Sequence, residues 1–143
     1  MADLLFGLED AWWVLGSAAM ALKGYDPGHV RDVDVLVSAR DAVSLMTRFG
    51  LQNENDGGSL RYRSTYFLKP KLGPLPVEIM ADYEIYHLER WRSVWPDSRH
   101  PIRVSEVEVY VPSDEDLLDT FRWLDRAKDQ QRIQTLEQKL RLS

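Results

Sequence analysis

The chain has 143 residues and no cysteine, which excludes disulfides, thiolate nucleophiles and cysteine-based zinc sites. A formal net charge of −5 offers no global basic field for a polyanion, and 44% hydrophobic with 29% charged residues is too apolar for a disordered chain. No apolar run reaches the roughly 20 residues that span a bilayer, and the start Met1-Ala2-Asp3 lacks a basic n-region, so a cytoplasmic location with no membrane partner is expected.

In chain order, Trp12-Trp13-Val14-Leu15 reads as a strand, broken by Gly16-Ser17 before a helix-favouring stretch from Ala18 that ends at Gly24. Asp26-Pro27-Gly28 is turn chemistry. Val33, Val35 and Val37 alternate with Asp32, Asp34 and Leu36, the period of two that sends alternate side chains to opposite faces of a strand. Both aspartates therefore share a face. Ser38, with Asp41 three residues on, predicts an N-cap and a helix that turns Ala42, Leu45, Met46 and Phe49 inward and stops at Gly50.

Residues 53–59 read as a polar loop, and 60–68 and 76–81 as two strands in a hairpin around the Pro/Gly turn 69–75. Segment 83–91 is open between a short helix and an irregular cover. Residues 102–111 are strand-like with a bend at Ser105-Glu106, after which Pro112-Ser113 opens a helix containing Leu117, Leu118, Phe121 and Leu124. A last amphipathic helix carries Ile133, Leu136 and Leu140. This order predicts one domain over 1–143 of α+β or α/β class, with a mixed β-sheet and its helices in 1–111 and a C-terminal helical pair in 112–143.

The chemistry concentrates in Gly16-Ser17, then fourteen residues, then Asp32-Val33-Asp34. Carboxylates at i and i+2 on one strand face have Cα atoms roughly 6.5 Å apart, close enough for their oxygens to converge on a metal or a metal pair. Unpaired, they repel, and a divalent cation gives them a reason to coexist. Magnesium suits an all-oxygen set and prefers to be shared with substrate phosphates. Gly16 permits close backbone approach and Ser17 offers a hydroxyl beside helix-start amides, an arrangement suited to a phosphate. His29, His87 and His100 have no metal-ligand spacing, although His29 lies near the aspartate strand.

With Gly16-Ser17, Asp32-Val33-Asp34, Asp116-Leu117-Leu118 and Arg126-Ala127-Lys128-Asp129, the chain resembles the minimal nucleotidyltransferases of the DNA polymerase beta-like superfamily. That group includes antibiotic-modifying enzymes and the nucleotidyltransferase-like toxins of bacterial toxin–antitoxin pairs. The resemblance implies a nucleotidyltransferase-like mixed sheet in which Asp32 and Asp34 hold two magnesium ions, with Gly16, Ser17 and Lys128 contacting a nucleoside triphosphate. It also implies a third carboxylate on a later strand, as ligand and base for the acceptor. Glu78, flanked by Val77 and Ile79, is the choice for it and Asp82 is the rival; about 13 Å of strand separates the two, so both cannot serve one metal pair. Two departures stand out: Phe121 and Arg132 lie where the family often has a lysine and an aspartate.

The function so implied is magnesium-dependent transfer of a nucleoside monophosphate to an acceptor, a small molecule or an RNA. The alternative is an inactive domain of the same fold that binds a nucleotide or a protein partner.

Overall fold

The computed structural model describes residues 2–142; Met1 and Ser143, the two ends of the expected 1–143 span, lie outside them. A short helix α1 (Ala2–Leu5) precedes β1 (Trp13–Leu15), α2 (Gly16–Leu22), β2 (Val33–Val37) and α3 (Ala39–Phe49). Then come β3 (Tyr62–Arg63), β4 (Tyr66–Leu68), β5 (Val77–Ala81), β6 (Glu84–His87), β7 (Arg90–Ser93), β8 (His100–Val104) and β9 (Val107–Val111). The C-terminal part is α4 (Asp114–Leu124), a 3-10 turn (Ala127–Asp129) and α5 (Gln130–Leu142). The architecture is a mixed α+β fold, as the order of elements predicts.

The central sheet has the order β1-β2-β5-β4, with β2 and β5 parallel and the outer pairs antiparallel. Val14, Val35, Val37, Ile79 and Ala81 point to one face, where Ala19, Met20, Leu45, Leu117, Phe121 and Leu136 from the helices close a continuous core. Trp13, Leu15 and Leu36 point to the other face and form a smaller core with Ile85, Val94 and Leu124. That second core covers only part of its face. The uncovered part lies at the start of β2, next to the end of β1.

Local chemistry sets most boundaries. Ser38 Oγ accepts from Asp41 N (3.1 Å) to cap α3, and Ser113 Oγ accepts from Asp116 N (3.2 Å) to cap α4. Gly50 ends α3 in the left-handed region at φ 64°. One expectation needs correction there. Phe49 is not inward but 42% exposed, because it is the last helical residue, with the Arg48 guanidinium 5.1 Å from its ring. Asp41, the acid three residues after Ser38, is buried and accepts the amides of Glu9 and Asp10 at 2.9 Å each.

The segment expected as a helix or cover, 83–91, is instead the first part of the hairpin β6–β7, which forms a separate sheet of order β3-β6-β7. Ile85, Tyr86 and Trp91 are good strand formers, but the turn residues Leu88 and Glu89 take φ of 50° and 66° without a glycine to announce it. Part of the expected strand 60–68 joins this sheet too, since Tyr62 pairs with Ile85 while Tyr66–Leu68 pairs with β5. Residues 100–111 form the hairpin β8–β9, turning at Ser105 with φ 58°. Among the described residues no helix is long and apolar enough to cross a membrane.

Candidate active site

Strand register brings the acids together. Asp34 stands opposite Leu15 on one side and opposite Glu78 on the other, so its side chain shares a face with Glu78. Asp32, two residues earlier, lies on that same face. Oxygens of Asp32, Asp34 and Glu78 all lie within 4.8 Å of one another, at the uncovered part of the sheet. Asp82 is elsewhere: it is exposed beyond the end of β5 with φ 53°, outside this cluster.

The electrostatics follow from that closeness. Burial, then the charges of Asp32 and Glu78, push the Asp34 carboxyl from its ordinary 3.8 up to about 8. Glu78 is raised as well, by burial and by Asp32, although its hydrogen bond with Asp34 and the charge of Lys69 pull the other way. Both carboxyls are thus pushed toward holding a proton. No arginine or lysine hydrogen-bonds to any of the three acids among the described residues. A hard divalent cation is the natural replacement for that proton, and the three carboxylates fit one by donor type and by spacing.

Gly16 opens α2 at φ 65°, and a Cβ placed there would meet Asp34 Oδ2 at 3.4 Å. The helix begins directly at Gly16, without the intervening turn the sequence suggests; the contact is an ordinary one, and it is the left-handed φ that favours glycine at the β1–α2 junction. Ser17 follows at the mouth of the site.

A cleft of about 750 Å³ opens over this floor. Gly16, Ser17, His29, Arg126, Lys128 and Arg132 line it, with Lys128 exposed to solvent. So do Tyr62, Phe67, Lys69 and most of the loop 54–59. That loop is fastened at its root, where Asn53 Nδ2 donates to Thr65 O (3.0 Å), Asn53 Oδ1 accepts from Phe67 N (3.0 Å) and Glu54 N donates to Phe67 O (2.8 Å). Beyond the root it makes its own turns, with Gly57 N on Asn55 Oδ1 and Gly58 N on Asp56 Oδ1, each at 3.0 Å. The size suits a drug-sized or nucleotide-sized ligand.

From the sequence, Lys69 and the Arg126 to Arg132 stretch stand only as candidate basic-patch residues, Arg126 within the late motif and Arg132 as a departure from it, and the 54–59 wall reads only as a polar loop. Arg126 donates Nε and Nη2 to the two oxygens of the fully buried Asp129, at 2.7 and 3.0 Å. Burial opposes its charge, but Asp129 outweighs that and raises its pKa, so the cation is fixed. The Tyr83 phenol, buried near Asp34, is also held in its neutral form, by burial first and the Asp34 charge second.

Comparison with known proteins bears on fold. The structure is similar to that of an inferred nucleotidyltransferase from Thermotoga maritima, at 22% identity over 99% of this chain and 89% of that one, with a TM-score of 0.71. It is also similar to the antibiotic-resistance factor ANT(2'')-Ia in solution, at 14% identity over 90% of this chain and 74% of that one (TM-score 0.50). ANT(2'')-Ia in complex with adenylyl-2''-tobramycin gives 13% identity, 90% and 79% coverage, and a TM-score of 0.52. No protein-family model and no curated protein matches the chain by sequence.

Proposed function

We propose, on the premise of a nucleotidyltransferase fold with its acids on one open face of the two central strands, that this protein transfers a nucleoside monophosphate from a nucleoside triphosphate to an acceptor hydroxyl. The observation that carries the reading is the convergence of Asp32, Asp34 and Glu78 within 4.8 Å at the floor of the cleft. The neighbours supply the class of chemistry, and the Thermotoga maritima protein supports the fold over nearly the whole chain.

In this reading Asp32 and Asp34 hold magnesium, two ions by resemblance, and Glu78 completes the set on the side away from Gly16. Magnesium bound there would neutralise charge on the entering and leaving oxygens of an in-line displacement. Gly16 and Ser17 receive the triphosphate, with Lys128 and Arg126 adding positive charge from the wall. Glu78, the acid beside the acceptor side, accepts the proton of the acceptor hydroxyl. The acceptor oxygen then bonds to the α-phosphorus, the bond to the β-phosphate breaks, and pyrophosphate leaves. The acceptor approaches from the side of Phe67, Lys69 and the 54–59 loop, because the sheet order places β4 beyond β5.

A second reading, binding without transfer, draws on Phe121: a buried ring stands where the resembled family often has a lysine. The two readings separate in one experiment. Thermal shift with each of the four ribonucleoside triphosphates, with and without magnesium, detects binding, and labelled triphosphate with a cell-extract acceptor pool detects transfer. Magnesium-dependent stabilisation with label transfer is expected. Stabilisation without transfer to any acceptor selects the second reading, and no stabilisation by any triphosphate overturns both.

A further inference from the structure

Arg132 and Phe121, the two departures from the family pattern, are in contact: the Arg132 guanidinium lies 5.6 Å from the Phe121 ring centroid. The guanidinium is buried, and its donors reach three separate pieces of chain. Nε donates to Pro27 O at 2.9 Å, Nη2 to His29 O at 3.4 Å and Nη1 to Asp129 Oδ1 at 3.4 Å. Asp129 in turn grips Arg126 through Nε, Nη2 and the backbone amide. That leaves Arg126 Nη1 with no hydrogen bond among the described residues, on a side chain that lines the cleft.

We propose, resting on the nucleotide-binding reading above, that Arg132 is a positioning residue for the triphosphate: it locks the 27–29 loop and Arg126 into one rigid wall over the carboxylate floor. Two arguments support it. A guanidinium spreads its donors over a fixed plane, so it can join two backbone carbonyls and a carboxylate that lie apart; a lysine ammonium offers three donors from a single point. A buried ion network is also a poor way to gain stability, since apolar replacements of similar volume are often neutral, so its value here lies in geometry. The Asp129 carboxylate keeps Arg126 when Arg132 is replaced, and no buried charge is stranded.

The wall matters because both of its parts flank the acids. The 27–29 loop leads into Asp32 within three residues, and the Arg126 charge is felt at Asp34. With the latch open, the floor keeps its register between β2 and β5 while the wall moves.

The test uses Arg132→Met, which keeps volume, and Arg132→Lys, which keeps charge. Three readouts apply: binding of manganese alone, binding of the four α,β-methylene ribonucleoside triphosphates with magnesium, and hydrogen exchange of segment 26–31. In Arg132→Met, manganese affinity should stay within about twofold, while nucleotide affinity falls about tenfold or more and exchange quickens about fivefold. Arg132→Lys should recover part of both losses, and it decides the matter if the methionine variant does not fold. Wild-type nucleotide affinity in a folded variant overturns the proposal, as does unchanged exchange in 26–31. If the wild type binds none of the nucleotides, the functional reading fails on its own, and the exchange rates alone then uphold or overturn the latch.

Discussion

On the floor of the cleft, Asp32, Asp34 and Glu78 face one another without a hydrogen-bonded cation among the described residues, and the strain shows as a carboxyl pushed to about 8. On the wall, the single acid Asp129 sits between two arginines, with every carboxylate oxygen engaged. The floor is built on strands whose register is set by a parallel pair and a packed core; the wall is built on helix ends joined by side chains. Charge is left unbalanced where geometry is firmest, and it is balanced internally where geometry depends on the charges themselves. The floor therefore has charge left to balance, whereas the carboxylate of the wall is already paired.

The comparison can be broken most forcefully at Glu78. If the floor does the chemistry, Glu78→Gln should lower transfer by about 10²–10⁴-fold while keeping most magnesium–nucleotide affinity, measured by label transfer and by calorimetry. Asp82→Asn is the control; exposed and outside the cluster, it should change neither by more than about 0.5 kcal/mol. The reverse pattern would reassign the third acid.

Next in size is the attachment of the wall to the core. Phe121 is 1% exposed and packs with Leu117 and Leu136 against the sheet, so Phe121→Ala should cost about 3–5 kcal/mol in urea unfolding. A loss under about 0.5 kcal/mol would detach α4 and α5 from the core described above.

Asp34→Asn should remove the stabilisation that magnesium–nucleotide gives the wild type, about 2.7 kcal/mol at a hundredfold excess over Kd. The same change should raise the stability of the metal-free protein at pH 8, because it deletes a repelled charge. An Asp34→Asn protein that still responds fully to magnesium–nucleotide would remove this residue from the metal set.

The last test is a slope with pH. A folded-state value near 8 against an ordinary 3.8 means the folded protein keeps a proton that the unfolded chain has released between those values. Stability from this group is therefore fully present below about pH 4 and is lost as pH rises through about 8. Without metal, the wild type should lose stability over that window relative to Asp34→Asn; with magnesium, which competes with the proton, apparent metal affinity should rise across it. Parallel pH profiles for the two proteins would show that Asp34 ionises freely.

Much of this floor was legible because its signals are local. The period of two through 32–37 puts Asp32 and Asp34 on one face, and Ser38 and Ser113 mark their helices by spacing alone. Glu78 required its partner strand, since only the parallel register with β2 sets it opposite Asp34. The hairpin β6–β7 was hidden because Leu88 and Glu89 make a left-handed turn without glycine or asparagine. Arg132 was visible only as an anomaly: its partners Pro27 and His29 lie more than a hundred residues away in the chain, beyond the reach of any local pattern.

The manner in which the 54–59 loop is fastened bears on how such a protein diversifies. Asn53 bolts the root to β4, Asn55 reaches Thr65 O and Ser59 N meets Tyr62 O, and none of these partners lies on β2 or β5, the strands that hold the acids. Such a segment is a replaceable part. Residues can be exchanged or inserted beyond the bolt, reshaping the room offered to an acceptor, while the spacing of Asp32, Asp34 and Glu78 is inherited unchanged.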